Sequence, residues 1–140
     1  MADGPEVLIV EDDVYQARWF AETLTRAGYA VRGPAADELS ALQLIGENPP
    51  DAAVLDIDLS GPLGPSHGLT RTSAQIAAAL ADWGVPMVVV TSHPGIGFLP
   101  PVHPVVRLRK PVREDELLAA LRLCVERSRS ARDAADPRSG

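Results

Sequence analysis

Short apolar runs alternate along the chain with longer segments in which apolar residues recur every three or four positions. The short runs lie at 6–10, 29–33, 52–56, 85–92 and 105–111. Most are rich in Val, Ile and Leu, which is typical of strands that are buried on both faces. The sequence therefore predicts five strands, with a helical or irregular segment between each strand and the next.

Four amphipathic segments predict helices over 14–27, 38–46, 69–83 and 113–129. Asp13 can cap the first of these helices, and Gly28 can end it. The apolar spacing selects the side chains that face the sheet. In the first two helices these are Val14, Ala17, Ala21 and Leu24, followed by Leu39, Leu42 and Ile45.

Strands that alternate with helices of this length are typical of βαβ units. Because such crossovers are right-handed, the sequence predicts an α/β fold with one doubly wound parallel sheet. The segment HPGIGFLPPVHP, at 93–104, contains four prolines and two glycines, so a fourth helix placed there is expected to be degenerate or irregular. We expect an N-terminal extension at 1–5, one domain at 6–128 and a disordered tail at 129–140.

Composition and charge narrow the classes of function. The chain has 140 residues and a net charge of −6, which opposes general binding to nucleic acid or to anionic membranes. Its one cysteine, Cys124, cannot form an internal disulfide, which fits a reducing compartment. Neither a signal peptide nor a membrane span is predicted. We therefore expect a cytoplasmic protein with no nucleic-acid or membrane partner.

Polar residues fall where the predicted strands end. Glu11 and Asp12 follow the first strand, Asp56 ends the third, Thr91 is near the end of the fourth, and Lys110 ends the fifth. The carboxyl ends of parallel strands share one edge, and open α/β sheets bind their ligands at that edge. The sequence thus predicts a site that combines three carboxylates with a hydroxyl and an ammonium group.

Such a set of groups suits a divalent metal ion and a phosphoryl group. Three carboxylates within about 5 Å of one another repel by several kcal/mol in a partly buried site, and Lys110 offsets only part of this. Mg²⁺ can offset the rest, because it takes one or two carboxylates together with waters and phosphate oxygens. The metal and the ammonium can neutralise a phosphoryl group, while one aspartate acts as the nucleophile.

Four motifs of the chain resemble the receiver domain of two-component response regulators. They are VLIVEDD at 7–13, DAAVLDIDLS at 51–60, VVVTS at 88–92 and RKP at 109–111. The resemblance extends over about 6–128 and implies a flavodoxin-like sheet of strand order 2-1-3-4-5. It also implies a signalling domain, rather than an enzyme, that takes a phosphoryl group from a histidine kinase or a histidine phosphotransfer protein in a Mg²⁺-dependent reaction.

The resemblance gives the acidic residues separate roles. Asp56 matches the aspartate that accepts the phosphoryl group. Glu11 and Asp12 match the acidic pair that holds Mg²⁺, with Asp12 as the direct ligand. Asp58 matches the residue whose backbone carbonyl binds the metal, so its side chain is not required.

The resemblance also covers the groups that contact phosphate. Thr91 matches the switch hydroxyl, Lys110 matches the lysine that pairs with the phosphoryl group, and the peptide bond from Lys110 to Pro111 matches one that is cis in the family. Arg107 stands where the family has an aromatic switch residue. The usual coupling of threonine and aromatic ring therefore cannot operate unchanged, and Arg107 becomes a candidate output residue.

Other departures also concern the surface that responds to phosphorylation. Ser60 replaces a proline, and the loop GPLGPSHG at 61–68 is about four residues longer than usual by comparison with the family. Together with the proline-rich segment at 93–104, these changes imply a remodelled output surface. A homodimer through that surface is not predicted. Because only a short tail follows the last helix, we expect a stand-alone domain whose output is contact with an effector protein that the sequence does not identify.

Two other functions remain open. In a phosphatase of the haloacid dehalogenase type, Asp56 would be the nucleophile and Asp58 the general acid. That family places its paired aspartates on the first core strand, whereas a strand–helix–strand–helix block precedes Asp56 here. In the other alternative, a receiver-like fold binds its partner constitutively without accepting phosphate, and the intact acidic set argues against it.

Overall fold

The computed structural model describes residues 4–57, 71–92 and 105–135. Its centre is a five-stranded sheet of order β2-β1-β3-β4-β5, in which every neighbouring pair of strands is parallel. The predicted α/β fold and the strand order 2-1-3-4-5 are confirmed. The predicted irregular segment at 93–104 lies outside the described residues.

The elements follow one another in strict alternation wherever the chain is described. The strands are β1 (Glu6–Val10), β2 (Ala30–Ala35), β3 (Ala52–Asp56), β4 (Met87–Thr91) and β5 (Val105–Arg109). The helices are α1 (Val14–Arg26), α2 (Glu38–Glu47), α3 (Arg71–Asp82) and α4 (Glu114–Ala135). Because all the strands run in one direction, the sheet has an amino edge, where they start, and a carboxyl edge, where they end.

Helices cover both faces of the sheet. On one face, the buried side chains of α2 and α3 pack on alternate strand residues such as Leu8, Leu55 and Val89. On the other face, α1 and α4 pack on the intervening strand residues, with Phe20, Leu117 and Cys124 among the fully or almost fully buried side chains. Each large apolar side chain buried in this way stabilises the fold by about 1.5–3 kcal/mol. This core holds the strand ends in fixed positions.

The amino edge is held by a polar cluster formed by Glu6, Arg32 and Asp51. The Glu6 backbone N–H donates to a carboxylate oxygen of Asp51 at 2.8 Å, and the Asp51 N–H donates back to the Glu6 carbonyl. The Arg32 guanidinium donates to the Glu6 carboxylate and to the carbonyls of Leu44 and Asn48 at the end of α2. The cluster therefore ties β1, β2 and α2 together.

Three details of the predicted helices are wrong. The helix that begins at Glu114 continues to Ala135 and does not give way at 129 to a disordered tail. Val14 and Leu39 were expected to face the sheet but are 75% and 68% exposed. Both residues lie in the first turn of their helices, at the carboxyl edge, where there is little sheet left for a side chain to cover.

Candidate functional site

Glu11 and Asp12 lie where β1 leaves the sheet. The Glu11 N–H donates to the Ala35 carbonyl at 2.9 Å, so the backbone of Glu11 stays bound to the end of β2. Asp13 then caps α1, because its carboxylate accepts the N–H of Gln16 at 3.0 Å. The strand end and the cap together fix the backbone of the acidic pair on both sides. Glu11 is buried, whereas Asp12 is half-buried.

Asp56 is the last residue of the central strand β3 and is also buried. The ammonium of Lys110, which directly follows β5, lies 3.1 Å from its Oδ2 atom. The two residues are 54 positions apart in the sequence, so the parallel sheet brings them together. The peptide bond between Lys110 and Pro111 is cis, as the resemblance implies.

Thr91 ends β4, between the strands that carry Asp56 and Lys110. Asp56 is in register with Val90, so Thr91 lies one residue further toward the carboxyl edge. Thr91 is completely buried, and its carbonyl accepts the N–H of Lys110 at 2.9 Å. The hydroxyl and the ammonium therefore belong to residues joined by a backbone hydrogen bond.

The carboxylates of Glu11, Asp12 and Asp56 crowd one position. One oxygen from each lies within 4.8 Å of the others. At an effective dielectric constant of about 20, two like charges at this separation repel by about 3 kcal/mol. The pKa of Glu11 is raised to about 9, first by burial and then by a hydrogen bond to Asp56 and repulsion from its charge, while the Lys110 charge acts in the opposite direction. Without a cation, Glu11 therefore keeps its proton at neutral pH.

This crowding fits a divalent metal ion. The Oε2 atom of Glu11 is buried and has no hydrogen-bond partner in the described part of the chain, so an acceptor atom is left for a cation. All three donors are carboxylates, which are ligands that Mg²⁺ prefers. A divalent ion would also remove the repulsion that raises the pKa of Glu11. The donor set therefore fits the predicted cofactor.

The described part of the structure does not place two predicted site residues in this cluster. Asp58, whose backbone carbonyl was assigned to the metal, lies outside the described residues. Arg107 lies on β5 and is exposed, on the opposite sheet face from its half-buried neighbours Val106 and Leu108. The carbonyl of Ala35, which holds Glu11, was not predicted, because a backbone acceptor leaves no signature in the sequence.

The fold and the acidic strand-end site define a phosphoacceptor signalling domain of the α/β class. The family model of the response regulator receiver domain matches residues 7–122, and the chain belongs to this family. Receiver domains belong to two-component systems and accept phosphoryl groups from kinases. The predicted family is thus confirmed, and the receiver is favoured over the phosphatase alternative.

Solved structures of receiver domains share the fold. The signal receiver domain of a modulated diguanylate cyclase from Desulfovibrio desulfuricans G20 is 27% identical, with a TM-score of 0.70 over 92% of this chain and 99% of that chain. The receiver domain of a sensor histidine kinase from Pseudomonas aeruginosa PAO1 is 23% identical, with a TM-score of 0.69 over 88% and 98% of the two chains. That structure has a magnesium ion coordinated in its active site cleft. No curated protein sequence matches the chain.

The length and the composition of the described helices determine whether any of them could span a membrane. Among the described residues, no helix is both long enough and apolar enough to cross a bilayer. The longest helix, α4, has 22 residues, but its first turn alone contains Glu114, Asp115 and Glu116.

Proposed function

We propose that Asp56 accepts a phosphoryl group from a histidine kinase or a histidine phosphotransfer protein, and that the modified domain then acts by contact with an effector protein. One observation carries this proposal: the ammonium of Lys110 is 3.1 Å from an oxygen of Asp56, in a group of three carboxylates. An ammonium beside a lone surface aspartate would be an ordinary ion pair. Beside a buried carboxylate cluster, it is well placed to neutralise incoming phosphate.

The transfer step uses residues of the chain in distinct ways. An oxygen of the Asp56 carboxylate attacks the phosphorus, the bond from phosphorus to the donor's histidine nitrogen breaks, and that nitrogen keeps the electron pair. Lys110 neutralises charge on a phosphoryl oxygen, and the Thr91 hydroxyl donates a hydrogen bond to another. Water later hydrolyses the resulting acyl phosphate, which resets the domain.

Glu11, Asp12 and Asp56 would hold Mg²⁺, together with the backbone carbonyl of Asp58. The ion supplies positive charge that offsets the negative charge of the transferred oxygens. Glu11 must lose its proton for this purpose, and so metal binding and deprotonation of Glu11 are coupled. The start of the domain at residue 6 and the separate N-terminal extension at 1–5 stay predictions.

The test is incorporation of phosphate from acetyl phosphate with Mg²⁺, followed by intact-protein mass spectrometry. We expect the mass to increase by one phosphoryl group in the wild type and to stay unchanged in Asp56→Asn. Equal incorporation by both proteins would refute the assignment of Asp56. No incorporation into the wild type, with no spectral change on adding beryllofluoride and Mg²⁺, would support the constitutive receiver-like fold.

The phosphatase alternative is separated by a second variant. Asp58→Ala removes the general acid that a haloacid dehalogenase-type mechanism needs, whereas a receiver uses only the backbone carbonyl at that position. We expect Asp58→Ala to keep accepting phosphate on Asp56. Sustained hydrolysis of a phosphate monoester by the wild type, lost in Asp58→Ala, would favour the phosphatase instead.

A further inference from the structure

Strand β2 is irregular where it approaches the carboxyl edge. Its register with β1 shifts between Arg32 and Ala35, so that two residues of β2, Gly33 and Pro34, face the single residue Ile9. An extra residue of this kind is a β-bulge, and bulges are common next to functional sites, where they redirect the backbone that follows them. This bulge lies at the same edge as the three carboxylates.

The pairing that resumes after the bulge is what holds Glu11. Strand β2 pairs with β1 again at Ala35, whose carbonyl accepts the Glu11 N–H at 2.9 Å. If β2 left the sheet at Arg32, this N–H would lose its acceptor. Glu11 is buried, belongs to the carboxylate cluster, and has an Oε2 atom without a partner in the described part of the chain. The bulge therefore acts on the backbone of a candidate metal ligand.

Glycine is the residue type that this bulge requires at position 33. The φ angle of Gly33 is +91°, in the left-handed region that residues with a side chain disfavour. A Cβ atom there would lie 2.8 Å from the Ala35 nitrogen and 3.0 Å from the Ile9 carbonyl oxygen. Both are backbone atoms at the point where the strands pair again, so neither can turn aside as a flexible side chain could. A side chain at position 33 would therefore displace Ala35 or β1.

The bulge also borders the acidic pair directly. Pro34 lines the same cavity, of about 330 Å³, as Glu11 and Asp12. Strand β3, which carries Asp56, is separated from β2 by β1. A displacement at the end of β2 is therefore expected to reach the acidic pair before it reaches the proposed phosphoacceptor.

We propose that Gly33 is a positioning residue for Mg²⁺. It allows β2 to pair with β1 again, and the Ala35 carbonyl then fixes the backbone from which the Glu11 carboxylate reaches the metal. Loss of a group that orients a metal ligand usually weakens metal binding by about 10- to 100-fold. This role rests on the proposed function, in which Glu11 holds the ion.

The role is tested by isothermal titration calorimetry of Gly33→Ala with Mg²⁺, with Gly28→Ala as the matched control. Gly28 also has a positive φ angle, of +97°, but a Cβ atom there meets nothing within 4 Å. It lies between α1 and β2 at the amino edge. Both variants place a side chain in the left-handed region, but only Gly33→Ala disturbs the backbone that holds Glu11. We expect Gly33→Ala to bind Mg²⁺ about tenfold or more weakly, with little change in Gly28→Ala.

The Mg²⁺ dependence of phosphate incorporation separates positioning from a general loss of structure. Circular dichroism and urea denaturation first establish that each variant is folded under the assay conditions. We expect Gly33→Ala to need more Mg²⁺ for half-maximal incorporation from acetyl phosphate, yet to approach the wild-type rate at saturating Mg²⁺. A lower maximal rate with an unchanged Mg²⁺ requirement, or equal losses of affinity in the two variants, would overturn the role of Gly33.

A second variant covers the case in which Gly33→Ala does not fold. Asparagine tolerates the left-handed region better than alanine but still brings a Cβ atom to the same place. We therefore expect Gly33→Asn to fold more readily and still to bind Mg²⁺ more weakly than the wild type. Binding by a folded Gly33→Asn that matches the wild type would refute positioning by Gly33.

Glu11→Gln distinguishes failure of this role from failure of the proposed function. Equally tight Mg²⁺ binding by the wild type and Glu11→Gln, or no binding by the wild type, would refute the proposed metal site itself. Weaker binding by Glu11→Gln, with wild-type affinity in Gly33→Ala, would refute only the positioning role and leave the proposed function intact.

Discussion

The two edges of the sheet both collect charged residues, but they use them in opposite ways. At the amino edge, Glu6, Arg32 and Asp51 combine two carboxylates with a guanidinium and with backbone donors and acceptors. At the carboxyl edge, three carboxylates face one ammonium, and the Oε2 atom of Glu11 has no partner among the described residues. The charged groups of the amino edge are stabilised by one another, whereas those of the carboxyl edge need a bound cation to balance their negative charge.

This difference separates charged residues that stabilise the fold from the charged residues of the candidate functional site. A satisfied polar cluster stabilises the elements it joins, and removing one member leaves the others unpaired. A crowded carboxylate cluster costs stability, and removing one member relieves repulsion. The sign of the stability change on mutation is therefore expected to differ between the two edges. Of the four predictions that follow, the first two concern phosphate incorporation and the last two concern stability.

The largest expected effect is on phosphate incorporation at the carboxyl edge. Asp56→Asn removes the proposed nucleophile and should abolish incorporation from acetyl phosphate, as measured by intact mass. Asp51→Asn makes the same change of side chain at the amino edge and should keep incorporation. If Asp51→Asn abolished incorporation while its circular dichroism spectrum stayed native, the division between the edges would be wrong.

The next effect concerns the rate of incorporation. Lys110→Met removes the ammonium proposed to neutralise the phosphoryl group and should slow incorporation by about 100-fold, the usual effect of losing one such electrostatic group. Arg32→Met removes a positive charge from the amino edge and should leave the rate unchanged. Time courses of the mass change at fixed acetyl phosphate measure both rates, and similar slowing in the two variants would contradict the prediction.

The third prediction concerns the free energy of unfolding, which should depend on the amino edge. Arg32→Met leaves the Glu6 carboxylate and two carbonyls of α2 without their donor, and should lower the free energy of unfolding by about 2 kcal/mol. Arg18→Met breaks a solvent-exposed pair with Glu22 and should change it by less than about 0.5 kcal/mol. Urea denaturation measures both variants, and equal effects would mean that the amino-edge cluster contributes no more than a surface ion pair.

The smallest effect is a gain in stability that depends on pH. The pKa of Glu11 is raised from 4.5 to about 9 by burial and by Asp56, so the contribution of Glu11 to stability is full below pH 4.5 and is lost as the pH rises toward about 9. Without metal, the free energy of unfolding of Glu11→Gln should therefore exceed that of the wild type by at least about 1 kcal/mol at the upper end of this window, and by less at acidic pH.

Denaturation with and without Mg²⁺ supplies the check on Glu11. Mg²⁺ should stabilise the wild type more than Glu11→Gln, because it replaces the proton of Glu11 with a stronger partner. A difference between the two proteins that does not change with pH would remove the electrostatic explanation.

The strand ends were predictable because parallel strands place polar residues of distant segments at one edge. Asp56 and Lys110 could be paired from the sequence alone, since each ends a predicted strand of the parallel sheet. The strand order and the family followed from the same alternation and motifs. The sequence thus contained most of the sheet and most of the candidate site.

What the sequence did not reveal has local physical causes. Val14 and Leu39 fit the helical period, but the period does not show that the sheet stops beneath the first turn of each helix. The amino-edge cluster depends on backbone carbonyls, which every residue offers. The last helix was ended too early because the polar composition after 128 was taken for disorder, whereas alanines such as Ala131 and Ala134 favour helix and no glycine or proline interrupts 114–136.

One backbone hydrogen bond joins Thr91 and Lys110, the two residues proposed to contact the phosphoryl group. The N–H of Lys110 is 2.9 Å from the carbonyl oxygen of Thr91, immediately beside both functional side chains. A phosphoryl group bound by both the Lys110 ammonium and the Thr91 hydroxyl would connect these residues a second time, through their side chains. Neither residue could then shift without the other. A displacement of one residue would therefore be transmitted to both β4 and β5.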